Sequence, residues 1–162
     1  MPSPVGHGLG GIAAAWPLVP ERTRRAALIV ASAAIAPDLD LLLGTHRGAS
    51  HSLGSALIAG AAMAAIARRN RWRWGAAVAL AWASHVLLDW LSNDTRPPIG
   101  IMAFWPLTHR YYKSAIEIFP AVSRKYWEAR FWRYNAHAVA VELVVLGPVA
   151  ALALWRWRRR TA

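Results

Sequence analysis

The chain contains no cysteine. Disulfide scaffolds, thiolate zinc sites and cysteine nucleophiles are therefore excluded. Acidic residues are scarce: 8 Asp and Glu stand against 19 Lys and Arg, for a formal net charge of +11. Lysine is almost missing, with Lys113 and Lys125 alone, so the positive charge is carried by arginine. Charged residues make up only 17%, against about 25% in a typical soluble domain. A disordered polyelectrolyte is excluded on that ground. No recognition motif accompanies the basic residues, so nucleic acid is not an expected partner. Internal repeats and low-complexity stretches are also lacking. The first residues, MPSPVGHG, have neither the basic n-region nor the cleavage pattern of a secretory signal. What the 162 residues do have is 56% hydrophobic content and ten tryptophans. That size fits one domain, residues 1–162. Apolar, arginine-rich and tryptophan-rich together point to a protein of a membrane.

Five apolar stretches stand out, at roughly 8–20, 25–37, 52–67, 74–92 and 136–155. Only the last two reach the ~20 residues that cross a bilayer unaided. Gly, Ala and Ser crowd the others, as suits close packing between membrane helices. The expected fold is all-α, a polytopic transmembrane bundle of about five short spans. The alternative is a soluble helical protein with a buried core. Arg22, Arg24 and Arg25 lie between the first two stretches, Arg68, Arg69, Arg71 and Arg73 between the third and fourth, and Arg156, Arg158, Arg159 and Arg160 after the fifth. In a five-crossing bundle these eleven share one side. Positive residues stay inside, which predicts a multi-pass protein of the bacterial inner membrane with its N-terminus outside and its C-terminus cytoplasmic. Trp16, Trp72, Trp74, Trp155 and Trp157 sit beside the same clusters, as an interfacial belt would. The outer loop, 93–135, opens with the breakers Asn93-Asp94-Thr95-Arg96-Pro97-Pro98 and carries basic residues of its own. Its later part, roughly 114–134, is amphipathic and predicts one or two helices on the membrane surface or, equally, a helix packed on the bundle.

Ionisable groups beside membrane helices are costly and usually mark function. This chain has a set of them: His7, Asp38 and Asp40 in Pro37-Asp38-Leu39-Asp40, His46 and His51 in His46-Arg47-Gly48-Ala49-Ser50-His51-Ser52, and His85 and Asp89 in the fourth stretch. In the alternating topology all of them fall toward the outer end. His85 and Asp89, at i and i+4, project from one helix face. Imidazole with carboxylate suits Zn²⁺, Mn²⁺ or Fe. Pro37 breaks the second helix so that Asp38 and Asp40 can turn to one point. Gly48 frees the backbone between His46 and His51, and Ser52 is a good N-cap for the third helix. Seven candidate metal ligands (His7, Asp38, Asp40, His46, His51, His85 and Asp89) are too many for one tetrahedral ion and suit two bridged divalent ions, zinc foremost. A buried His–Asp hydrogen-bond network without metal is the alternative.

In this order the motifs resemble the bacterial membrane-bound metal-dependent hydrolases, some of which carry the label LexA-binding, inner-membrane-associated. The resemblance covers about residues 5–112. It rests on His7, Pro37-Asp38-Leu39-Asp40, His46-Arg47-Gly48-Ala49-Ser50-His51-Ser52, the His85 to Asp89 pair, Pro97-Pro98-Ile99-Gly100, Trp105-Pro106 and His109-Arg110-Tyr111-Tyr112. It departs at Leu41, where many members have a His. More distantly the family is similar to zinc-dependent phospholipase C and single-strand nucleases. By that analogy His85, Asp89, His51 and one of Asp38 and Asp40 hold a first ion, and Asp89 bridges to a second held by His7. The later HxxxE site of those enzymes has no counterpart, since Glu142 lies five residues after His137, so a third ion is not implied.

The expected function is a membrane-embedded metal-dependent hydrolase acting on a phosphoester, a phospholipid among the candidates. Metal-bound water would be the nucleophile, with its pKa near ~7. One of Asp38 and Asp40 would ligate while the other accepts the proton. Arg47, His109 and Arg110 would neutralise the phosphate. Two rival readings are a metal-ion or proton transporter and a non-catalytic membrane protein that binds a protein partner or acidic lipids.

Overall fold

A computed structural model describes residues 1–43, 46–94 and 97–158. Its α-helices are α1 (Pro4–Ala15), α2 (Arg24–Ile35), α3 (Leu53–Ile66), α4 (Arg71–Trp90) and α5 (Phe131–Arg158), with 3₁₀ turns at Ala36–Leu43 and Ala49–His51. Local chemistry explains the boundaries. Ser3 caps α1 by accepting from the Gly6 N–H, with Pro4 as the first helical residue. Thr23 and Ser52 cap α2 and α3 in the same way. Pro37 has no N–H to continue α2, and the chain tightens there into the 3₁₀ turn that carries Asp38 and Asp40.

Small side chains set the packing. α1 lies between α2, α4 and α5. A Cβ on Gly11 would meet Ala34 Cβ at 2.5 Å, and one on Gly75 would meet the Gly60 carbonyl at 2.8 Å. Glycine is what lets α1 touch α2, and α4 touch α3, at that range. Ala15, Trp16, Val19, Ala26, Val30 and Ala77 form the apolar core at one end. At the other end His7 faces Asp89 and the α2 terminus faces His85. Thus α1 and α2 run antiparallel, as do α1 and α4. The start of α1, the end of α2, the start of α3 and the end of α4 converge, as the alternating order of polar residues predicts.

Among the described residues, α5 alone is long and apolar enough to cross a membrane. Val144 is 74% exposed and its neighbours Leu143, Val145, Val149 and Leu152 are exposed too. Trp132 and Trp155, both exposed, are separated by roughly 35 Å of helix rise, close to the ~30 Å hydrocarbon core plus its rims. The expectation of five spans is not supported. α1, α2 and α3 have 12, 12 and 14 residues and rise only about 18–21 Å. α4 has 20 residues but bears Arg71, Arg73, His85 and Asp89.

Three further expectations need correction. The amphipathic segment forms no surface helix: residues 114–130 are irregular, and the helix begins at Phe131. The segment is pinned by backbone hydrogen bonds from Ile118 and Asn93 to Leu91 and Phe119, which bury Phe119. Earlier in the same loop Ile101 and Tyr112 bridge, which buries Ile101 completely enough to join the core. Trp16 is not part of an interfacial belt but 6% exposed in the core. Gly48 is not the strained residue of its loop; that is Arg47, at φ 67°. Arg96, Arg159 and Arg160, and the side chains of Arg156, Trp157 and Arg158, lie outside the described residues.

Candidate metal centre

His7, His51 and His85 are fully buried, and Asp89 is 6% exposed. Each comes from a different place: α1, the 3₁₀ turn before α3, and one face of α4. Asp38 joins them from the turn after α2. Four atoms converge. His51 Nε2 lies 3.4 Å from Asp89 Oδ2 and 3.5 Å from Asp38 Oδ1. His85 Nε2 lies 3.7 Å from each of the same two oxygens. These distances are too long for hydrogen bonds. They match the edge of a tetrahedron around a divalent ion, roughly 3.3–3.6 Å for ligand bonds of about 2.0–2.2 Å. All four atoms are buried with no hydrogen-bond partner. A group of that kind is expensive unless something satisfies it, and a divalent ion satisfies all four. Asp38, His51, His85 and Asp89 thus form a group that can hold a metal ion.

The backs of the imidazoles are anchored as metal-binding histidines require. His85 Nδ1 donates to the Ala34 carbonyl at 2.8 Å, which leaves the Nε2 lone pair for an ion. His51 Nδ1 faces Asp40 Oδ2 at 3.1 Å. Asp40 also accepts from His46 Nδ1 at 2.8 Å, the Arg47 N–H at 3.1 Å and Ser50 Oγ at 2.7 Å. Burial works against its charge, but these donors win and hold its carboxyl well below the usual carboxylate range. A carboxylate so saturated is a poor proton acceptor. The geometry separates the two aspartates: Asp38 presents an unpartnered oxygen to the cluster, while Asp40 orients His51. Burial also opposes charge on His51, yet Asp38, Asp40 and Asp89 outweigh it and raise its pKa to about 9. An ion entering near neutral pH displaces that proton.

Asp89 Oδ1 points the other way, 3.5 Å from His7 Nε2, and both nitrogens of His7 are buried without partners. The His7 and His85 rings stack at 3.8 Å. One carboxylate oxygen of Asp89 therefore belongs to the four-atom group and the other faces His7. His46, with Asp40, belongs to a second group on the opposite edge of His51. Arg47 is buried and pairs with Asp94. His109 and Arg110 are exposed, and among the described residues no hydrogen bond or ion pair joins them to the cluster.

Two residues were missed by sequence reasoning. Asp94 holds Arg47 and accepts from the Gly100 N–H at 2.6 Å; its place in a breaker cluster disguised it as an ordinary turn. Glu142, fully buried on α5, accepts from the Ser3 N–H at 2.6 Å and from Ser3 Oγ. It fastens the start of α1, one turn before His7. A lone carboxylate in an apolar run was the available signal.

Fold and site together define an all-helical protein with one candidate membrane helix and a buried His/Asp cluster fit for a divalent ion. The chain matches the YdjM inner membrane protein family over residues 1–161 and belongs to that family. No curated protein and no solved structure shows a significant match. Family membership carries an inner membrane address; hydrolysis, LexA binding and likeness to phospholipase C lie beyond what its description states.

Proposed function

We propose that the protein is a metal-dependent hydrolase of the inner membrane that cleaves a phosphoester. The observation that carries this reading is the set of four orphaned donor atoms at 3.4–3.7 Å on Asp38, His51, His85 and Asp89. Zinc is the first choice for such a nitrogen–oxygen set, with manganese and iron behind it. Asp89, through its second oxygen, and His7 suit a second ion. A bound divalent ion supplies a water acidified to a pKa of ~7 and a charge that offsets the developing oxyanion. The chain's own residues do the rest. Asp40 fixes the ring of His51, the Ala34 carbonyl fixes His85, and Glu142 fixes the helix start that carries His7. Arg47 is the cation nearest in sequence and burial to the cluster, and it neutralises substrate charge.

α5 is proposed to cross the bilayer with its arginine-rich end in the cytoplasm, and the cluster to open toward the outer side. Glu142 holds the start of α1 against this helix, so the cluster sits beside a membrane helix, and a phospholipid is a candidate substrate alongside soluble phosphoesters.

The test is elemental analysis of detergent-purified protein together with hydrolysis of p-nitrophenyl phosphate and phosphatidic acid. Bound zinc near one or two equivalents, and activity lost with the metal in Asp89→Ala, are expected. Full metal occupancy in Asp89→Ala would refute the assignment. Zinc accumulation in proteoliposomes without hydrolysis would favour transport, and absence of stoichiometric metal would favour a partner-binding role.

A further inference from the structure

Beside the His/Asp cluster lies a cavity of about 130 Å³, lined by His46, Arg47, Asp94, Pro97, Pro98 and Arg124 among others. On this measure about 10–15 Å³ holds one water, so the space has room for a small polyatomic group. Its chemistry is that of an anion site. Arg47 is 6% exposed, and its buried Nε has no partner. Arg47 does pair with Asp94, but that carboxylate is shared with the Gly100 N–H. Arg124 has no carboxylate partner among the described residues; its guanidinium donates only to Met1 Sδ, at 3.1 Å. Two arginines and one aspartate thus line the cavity, a net positive charge among its described residues.

The position of Arg124 is built rather than incidental. Residues 121–124 form a strap folded back onto the start of the chain by the Val122 N–H to the Met1 carbonyl, at 3.0 Å. The next residue, Ser123, is clamped to α5 twice: its N–H donates to Asn135 Oδ1 at 2.7 Å, and its carbonyl accepts from Asn135 Nδ2 at 3.0 Å. Arg47 is held just as firmly. Its N–H is bound to Asp40 and its carbonyl accepts from the Met102 N–H. His46 forms the shared wall. It lines this cavity, bonds Asp40 through Nδ1, and lies edge-on to the His51 ring at 4.8 Å.

We infer that this cavity is a subsite for a phosphate-class oxyanion, recognised by Arg47 and Arg124 next to the metal centre. The inference rests on the hydrolase reading and gives it a substrate class: an anionic ester whose phosphate oxygens are taken by two guanidinium groups, not by His109 and Arg110. Planar guanidinium groups suit tetrahedral oxyanions because two N–H groups can meet two oxygens at once. Arg124 is a binding residue here, and no bond is made or broken by it.

The probe is inorganic phosphate, titrated calorimetrically into the full chain in detergent, with zinc content measured on the same samples. Phosphatidic acid in nanodiscs forms a second arm, which separates a lipid headgroup from a soluble ester. Arg124→Ala is expected to weaken binding at least about tenfold in whichever arm binds. Arg124→Lys is expected to recover part of it, since charge is kept and the planar fork is lost. Zinc content is expected to stay at the wild-type level in both variants. Wild-type affinity in Arg124→Ala, or no binding of either probe by the wild-type protein, overturns the subsite. If zinc is bound but Arg124 is irrelevant, the subsite fails and the metal reading stands. If zinc is missing while phosphate still binds through Arg124, the metal reading fails and the subsite stands.

Discussion

The two ends of the α1–α4 bundle are built from the same helices by opposite rules. At one end Ala15, Ala26, Val30 and Ala77 are fully or almost fully buried and wholly apolar. Glycines bring the backbones to the limit of contact there. At the other end three fully buried imidazoles and two carboxylates crowd together with orphaned nitrogens and oxygens. The first end is almost wholly apolar, the indole nitrogen of Trp16 being the orphaned atom of its core. The second carries buried nitrogens and oxygens without hydrogen-bond partners, which a cation could satisfy. Orphaned buried polar atoms cost stability, so the difference marks the polar end as the candidate site.

The largest way to break the contrast is to remove a donor. His85→Leu keeps the volume roughly constant and takes one of the four donors away. Metal content, by elemental analysis, is expected to fall below about one tenth of wild type, while the apolar end stays folded by circular dichroism. Next in size is Asp40→Asn. The amide keeps the shape but loses the charge that orients His51, so zinc affinity is expected to drop about 10–100-fold in a competition titration with a chelating dye. Unchanged affinity would remove Asp40 from the site.

The opposite end answers to packing. In Gly75→Ala the new methyl group meets the Gly60 carbonyl at 2.8 Å and Ala64 Cβ at 2.9 Å. Neither is a flexible tip, so the helices must part. A loss of about 1–3 kcal/mol is expected, read as a lower melting temperature in detergent. Zinc stoichiometry at saturation should not change, because Gly75 and Asp89 are separated by roughly 21 Å of α4.

Much of the polar end was readable before any coordinates. The caps Ser52 and Pro37 act locally, and the His85–Asp89 spacing is a property of any helix. Alternating helix direction then forces His7, Asp38, His51 and His85 to one end. What could not be read depends on partners distant in sequence. Nothing in Pro37-Asp38-Leu39-Asp40 says which aspartate faces the cluster; that follows from how the 3₁₀ turn meets the 46–52 loop. His109 and Arg110 follow Trp105-Pro106 closely and looked well placed, but the loop turns them outward, while Arg124 is delivered by a strap that α5 clamps through Asn135. The number of spans was overread for a physical reason. Alanine- and glycine-rich helices of 12–14 residues are apolar enough for a bilayer and too short to cross it unaided, and it is their small residues that serve helix contact.

The finest test sets the metal-free and zinc-loaded forms against each other in pH. Without metal, His51 carries a pKa of about 9 against an ordinary value of 6.5. The folded form therefore holds a proton that the unfolded chain releases first. That stabilisation is complete below about pH 6.5 and is lost as pH rises through about 9. With zinc bound the sign reverses. The histidines must be neutral to ligate, so acidification displaces the ion and removes the stability its binding provides. Melting temperature should thus fall in chelated protein as pH rises from about 6.5 to 9, since burial holds His85 down at about 3 and confines its opposite contribution to lower pH, whereas in the zinc-loaded form it should rise between about pH 5 and 7. A single titrating proton limits the metal-free slope to about 1.4 kcal/mol per pH unit, so the effect is small beside loss of a ligand. Its sign is diagnostic all the same: a cluster that serves only as a hydrogen-bond network has one pH profile with or without zinc, and a metal centre has two that cross.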